Sequence, residues 1–226
     1  MNDDSEFSKL EREVQLLEEW LERKHGSVEN YRDHVKYYER WGILSSSLID
    51  FLRSKPLVDW TDSDAALCWK VILFDYYEVS LLYPLSFDEL LDLAKQATVP
   101  LAKGFQLYLA RVCGNIQDFK QQMQFATILF ESAQSFRVQI EVFDWLAARG
   151  SAKTEEYAKR IWDSGDCEEL RQWERQVALL VRLKPIRKQD ALLSEYLEKA
   201  LKSEYPSVVS CAKTIAILRD YGTKRH

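Results

Sequence analysis

The chain has 226 residues, 46% hydrophobic and 30% charged, which excludes a disordered polymer and suffices to bury roughly 70% of the unfolded surface in one large domain or two small ones. Seven Gly and five Pro are too few for a fold made of many β-turns. The net charge of −5 divides unevenly: residues 1–97 carry 20 Asp and Glu against 11 Lys and Arg, residues 98–226 carry 16 against 20, and the acidic half excludes direct binding of nucleic acid there.

In chain order the signals are helical. Phe7, Leu10, Val14, Leu17 and Leu21 recur at steps of three and four and predict a helix over 5–25, ended by Gly26. Ser27 caps a long helix whose stripe is read as Val28, Tyr31, Val35, Tyr38, Leu44, Leu48 and Leu52, with weak points at Gly42 and Ser45–Ser47. Pro56 and the polar run 59–64 form a loop, and Asp62 caps a helix through the most hydrophobic stretch, WKVILFDYYEVSLLYP, to Pro84. Ser86 and Glu89 make a capping box, and Pro100 opens a helix stopped by Gly114. Further helices are predicted near 116–133, 136–149 (stopped by Gly150), 153–163, from Asp166 to about Leu183, 188–203 and 206–221. The fold class is all-α: about eleven antiparallel helices, as an α-solenoid-like array or an irregular bundle, in a single domain over 1–226 with possible sub-halves 1–97 and 98–226.

Gly114, Gly150, Pro185 and Gly222 punctuate the chain at intervals of 35 to 37 residues, each holding two helices, a period of helical repeats. The stretch TEEYAKRIWDSGDCEELRQWERQVALLVRLKP, Thr154 to Pro185, resembles one tetratricopeptide unit. Tyr157 and Ile161 stand on its first helix, Gly165-Asp166 at its turn, Leu170 and Trp173 on its second, and a proline closes it. It lacks the family's Trp-Leu-Gly-Tyr opening, and its second helix is about three residues too long for the family. The resemblance implies stacked helix pairs with a groove for peptides.

Cys68, Cys113, Cys167 and Cys211 are far apart in sequence, without a C-x-x-C pair, and Cys68 and Cys113 read as buried thiols in a reducing, cytoplasmic setting. The acidic N-terminus MNDDSEFSKLERE has no apolar signal region, and no membrane span is expected. Glu22-Arg-Lys-His25 has the E-x-x-H spacing of di-iron bundles, but no second such motif exists, so no metal is expected. No phosphate loop, zinc motif or nucleophile elbow occurs, and only three histidines are present, so neither cofactor nor catalytic residue is expected. Arg182, Lys184, Arg187 and Lys188 around Pro185 read as a solvated loop.

Asp75 and Glu78 lie three apart inside the most hydrophobic stretch, on a helix apolar nearly all round. Such a buried acidic pair is an ion pair of the core, a lining of a partner groove, or an acid–base pair, in descending order of economy. Aromatic residues carry more information: seven Trp and eleven Tyr. Tyr37 and Trp41 fall off the predicted stripe, and Trp60 sits in the acidic loop of Asp59, Asp62 and Asp64. Aromatics beside carboxylates compose a binding surface for a basic protein partner, or else fill the core between helices. The leading expectation is a non-enzymatic binding protein, similar in type to all-helical immunity proteins that neutralise toxins. A helical-repeat scaffold or chaperone holding a peptide is the alternative, and an enzyme using Asp75 and Glu78 the third.

Overall fold

The computed structural model describes residues 5–23, 31–73, 80–166, 170–186 and 189–223. Asp75, Glu78, His25, Cys167, Arg187 and Lys188 fall outside them. Among the described residues there are eleven α-helices and no strand, as the sequence predicts: α1 (Glu6–Arg23), α2 (Tyr31–Ser54), α3 (Asp62–Leu73), α4 (Phe87–Gln96), α5 (Lys103–Val112), α6 (Phe119–Glu131), α7 (Phe136–Arg149), α8 (Thr154–Asp163), α9 (Gln172–Leu183), α10 (Asp190–Leu201) and α11 (Pro206–Thr223). They group into two compact units, Met1–Gln121 and Gln122–His226, divided near the start of α6 rather than where the charge changes sign. The first unit has 21 acidic against 14 basic residues, the second 15 against 17.

In the first unit, α1 packs along α2 and both meet α3, which lies on α5. Leu10, Val14, Leu17 and Trp20 form the buried stripe of α1. Lys9 on its outer side reaches Asp50 of α2 at 2.8 Å. The stripe of α2 runs through Tyr37, Leu44, Leu48 and Phe51, with Trp41 half-buried between them. The expected stripe through Val35 and Tyr38 is therefore off by a face: these two are 39% and 50% exposed. The true series, 37–41–44–48–51, keeps unbroken steps of four and three, whereas a step from 38 to 44 turns the helix well past its own face.

The helix buried on nearly all sides is α5, where Phe105 to Ala110 and Val112 are all buried. The sequence assigns that role to the stretch 69–84, of which residues 74–79 lie outside those described. Within its described part, Trp69 and Lys70 are exposed and residues 80–85 form two successive turns, closed by Tyr83 N–H to Ser80 O and Leu85 N–H to Leu82 O, both 2.9 Å. A buried polar cluster fixes these turns. The Tyr108 hydroxyl of α5 accepts from Leu81 N–H at 3.1 Å and shares a 3.0 Å hydrogen bond with the Ser80 hydroxyl. Ser80 in turn accepts from Leu82 N–H, and the Ser45 hydroxyl of α2 donates to the Leu81 carbonyl. Beyond the turns, α4 begins with the expected capping box: Glu89 N–H donates to Ser86 Oγ, and Ser86 N–H to Glu89 Oε2 at 2.8 Å.

In the second unit each helix from α7 onward packs on the next, and α7, α9 and α11 also pack on one another in succession. Gly150 ends α7 as expected. Its φ of 73° is left-handed, and its N–H and that of Ser151 return to Ala147 O and Leu146 O, both 3.0 Å, the double closure that favours glycine. Tyr157 of α8 stacks on Phe130 of α6 at 3.8 Å between ring centroids, and its hydroxyl donates to Glu131 at 3.1 Å. Helix α9 starts at Gln172, later than Asp166. Asp166 accepts from Gln172 N–H at 2.8 Å, so it caps the helix from outside.

Removing the Tyr108 hydroxyl tests the buried cluster. Tyr108→Phe leaves Leu81 N–H buried without an acceptor, and should lower the stability measured by urea unfolding by about 1–3 kcal/mol with an unchanged dependence on denaturant. An unaltered midpoint contradicts the role given to the cluster.

Candidate functional site

The segment between α2 and α3 is the acidic loop singled out in the sequence. After Pro56 the chain makes one 3-10 turn, Leu57–Asp59, and the alternation of its side chains sets everything that follows. Leu57 points inward and its N–H donates to the Gln96 side chain at 3.1 Å. Val58 points outward and is 68% exposed. Asp59 is exposed, and Trp60 turns back into the core at 5% exposure. The indole stands 6.2 Å from the Phe51 ring of α2 and 5.5 Å from the Phe105 ring of α5, measured between ring centroids.

Helix α3 then opens with Thr61, not Asp62, as its cap. Thr61 Oγ1 accepts from Asp64 N–H at 3.4 Å, and both the amide and the hydroxyl of Thr61 donate to Asp64 Oδ2 at 2.6 Å. This is the reciprocal geometry of a capping box, with Asp where Glu is usual. The Lys55 ammonium joins the same oxygen at 2.6 Å. Burial by itself would raise the Asp64 carboxyl, but the bonds from Lys55 and Thr61 outweigh it and hold the group below its ordinary value. Asp59 and Asp62 remain at the surface with no ion-pair partner among the described residues.

Four of the six residues assigned to partner binding thus have a different place. Trp60 and Tyr37 are buried at 5%, and Tyr37 lies against Trp20 of α1 at 6.2 Å. Trp41 is half-buried with its Nε1 unpaired. Asp64 is 2% exposed and neutralised by Lys55. The core-filling alternative holds for these aromatics. What the loop presents outward is Val58 with Asp59 and Asp62, and Thr61 and Ser63 are also exposed. Val58 was not singled out in the sequence, and the signal that could have found it is the Leu57-Val58 pair: in so tight a turn two adjacent side chains cannot share one side.

The chemistry elsewhere is sparse. Among the described residues no three His, Cys, Asp or Glu side chains gather as a metal site, and no helix is long and apolar enough to cross a membrane. Cys68 and Cys113 are buried free thiols, as expected, and burial pushes the Cys68 thiol up, away from reactivity. In the second unit Arg182 is held by Asp144 and, at 3.8 Å, by Glu141, so it belongs to the fold rather than to a basic loop. Burial pushes Asp144 up to about 6 against the pull of Arg182, with Glu141 adding to the rise. Its Oδ1 is buried without a hydrogen-bond donor, the physical root of that rise.

Two outcomes follow. Trp60→Ala should cost about 3–5 kcal/mol in chemical denaturation, while Val58→Ala stays within about 0.5 kcal/mol. Equal effects would mean the loop is not seated by its tryptophan. For Asp144 the folded carboxyl binds its proton more tightly than the unfolded one, with an ordinary value of 3.8. Its contribution is therefore favourable below about pH 4 and is lost as pH rises through about 6. The stability of the parent relative to Asp144→Asn should fall by on the order of 2 kcal/mol between pH 4 and 7, and a difference that rises instead contradicts this sign.

No protein-family model, no curated protein and no solved structure matches this chain, so its function is argued from the surfaces just described.

Proposed function

We propose that the chain is a non-enzymatic protein-binding protein whose first unit docks a basic partner protein through the loop Val58–Asp62. The observation that carries this reading is the opposition between the two sides of the loop. Its inner side is held by a buried indole, a buried leucine and a carboxylate with three donors. Its outer side offers one exposed apolar side chain beside two exposed carboxylates that pair with no cation among the described residues. A segment ordered before binding loses little entropy on docking, and an apolar centre with a charged rim is the composition of a binding surface. The net charge of the first unit, −7, selects a basic partner and speeds encounter with it.

The type of protein this supports is the immunity or antitoxin kind, which acts by covering a toxic partner and needs no catalytic group of its own. The stacked helices of the second unit support the alternative of a helical-repeat scaffold. A catalytic reading has only Asp75 and Glu78, which lie outside the described residues.

The test compares capture by the parent with capture by Asp59→Lys combined with Asp62→Lys. A basic protein should be recovered with the parent, should be toxic when produced alone, and should be harmless when produced with the parent chain. The double variant should fold normally and associate about tenfold more slowly at low salt, with a weaker salt dependence. Val58→Asp should speed dissociation by about fivefold or more. A captured partner that binds all variants alike places the interface elsewhere, and one that is harmless alone removes the toxin-neutralising reading.

A further inference from the structure

The first unit has a second feature that the acidic loop does not use. Between the turns at 80–85 with the start of α4 and the connection from α5 to α6 lies a groove of about 570 Å³. That volume lies within the range of roughly 300–1,000 Å³ of ligand sites. Its floor is apolar and already part of the core: Leu82, Leu85, Leu90, Val112 and Ile116 are each no more than 8% exposed. Its rim is of another kind. Tyr83 stands up from it at 78% exposure, and Asn115, Gln117 and Gln121 line the opposite edge, all exposed.

The rim restricts the occupant. Among the described residues it contains no cation, so nothing there receives a phosphate, a carboxylate or a nucleotide. The one carboxylate among the described lining residues, Asp118, accepts the N–H of Gln121 at 2.7 Å as the first turn of α6 forms. What remains is three primary amides, Gln117 with one donor already given to the Asn115 carbonyl at 3.4 Å, and such groups pair with peptide N–H and C=O. Tyr83 adds a rigid ring with a polar tip, a side chain that supplies contact area at small entropic cost. The walls are also fixed beforehand. The Tyr108–Ser80–Leu81 hydrogen bonds hold the Leu82 side of the groove on α5, whose own end supplies Val112.

We propose that this groove binds an extended segment of another polypeptide, with one large apolar side chain on the leucine floor and the backbone paired to Asn115, Gln117 and Gln121. This site is separate from the acidic loop and selects by shape and amide pairing rather than charge. It therefore stands or falls independently of the basic-partner reading.

The test uses a displayed library of random dodecapeptides selected on the full-length chain, followed by fluorescence anisotropy with the enriched peptides. Enriched sequences should be uncharged at their centre and share one large apolar residue, whose replacement by Ala abolishes binding. Tyr83→Ala should weaken binding about tenfold or more, as should Gln117→Ala combined with Gln121→Ala. All three positions are exposed, so thermal melting should match the parent. Asp59→Lys with Asp62→Lys should bind these peptides unchanged. Failure to enrich any such peptide overturns the proposal, as does binding that ignores the rim variants or follows the loop variant. Two other occupants have their own signatures, and either overturns it too: free indole binding as tightly as the peptides marks a small-molecule pocket, and a dimer in sedimentation that Tyr83→Ala dissolves marks a contact between copies.

Discussion

The first unit depends on the burial of one indole. Trp60 sits between Phe51 and Phe105 and so joins α2, α5 and the loop that carries it. Its Nε1 is buried with no acceptor. An unpaired buried N–H costs about 1–3 kcal/mol, whereas burying the 150–250 Å² of a large aromatic side chain is worth roughly 4–6 kcal/mol. The apolar term wins, and the loop is drawn inward at Trp60 despite three aspartates around it. Everything the loop offers outward is a consequence: with Leu57 and Trp60 turned in, Val58 and Asp59 have only solvent to face.

Polar groups in the interior serve the same end by a different route. Asp64 is buried because Thr61 and Lys55 give its Oδ2 three donors in place of water, and Lys55 lies just past the end of α2. The Tyr108 hydroxyl fastens the turns at 80–85, which have no helical hydrogen bonds of their own to hold them. In the second unit Glu131 accepts both Arg160 and Tyr157, and Arg160 lies over the stacked rings of Phe130 and Tyr157. Asp144 is the exception, with one oxygen satisfied by Arg182 and the other left dry. Its raised carboxyl shows what Asp64 avoids.

Much of the fold was legible. Helix identity followed from periodicity, and the Ser86–Glu89 box and the left-handed Gly150 followed from local chemistry that tertiary packing had no reason to override. The phase of α2 was also there in the unbroken spacing 37–41–44–48–51, but a run rich in tyrosines invites the neighbouring stripe, and the packing of Tyr37 on Trp20 of α1 makes the choice visible. In the acidic loop the sequence reading turns Trp60 and Asp64 outward, and the structure buries both. A tryptophan among aspartates looks exposed when only neighbours in sequence are weighed, and its partners are nine residues before and 45 after it. Asp64 was readable as the third residue after a capping threonine, had the helix been started one residue earlier. The groove beside Tyr83 had no sequence signal, since its two walls come from segments some thirty residues apart.

On this reading the outward face of Val58–Asp62 is a fixed surface seated on a buried tryptophan. Native-state hydrogen exchange at the Thr61 amide, whose N–H is held by the Asp64 carboxylate, tests it most directly. The account requires this amide to exchange only through global unfolding, with the same free energy and the same denaturant dependence as amides in the middle of α5. Exchange that is fast and insensitive to denaturant would show that the loop opens on its own, and would remove the preordered surface on which the proposed binding rests.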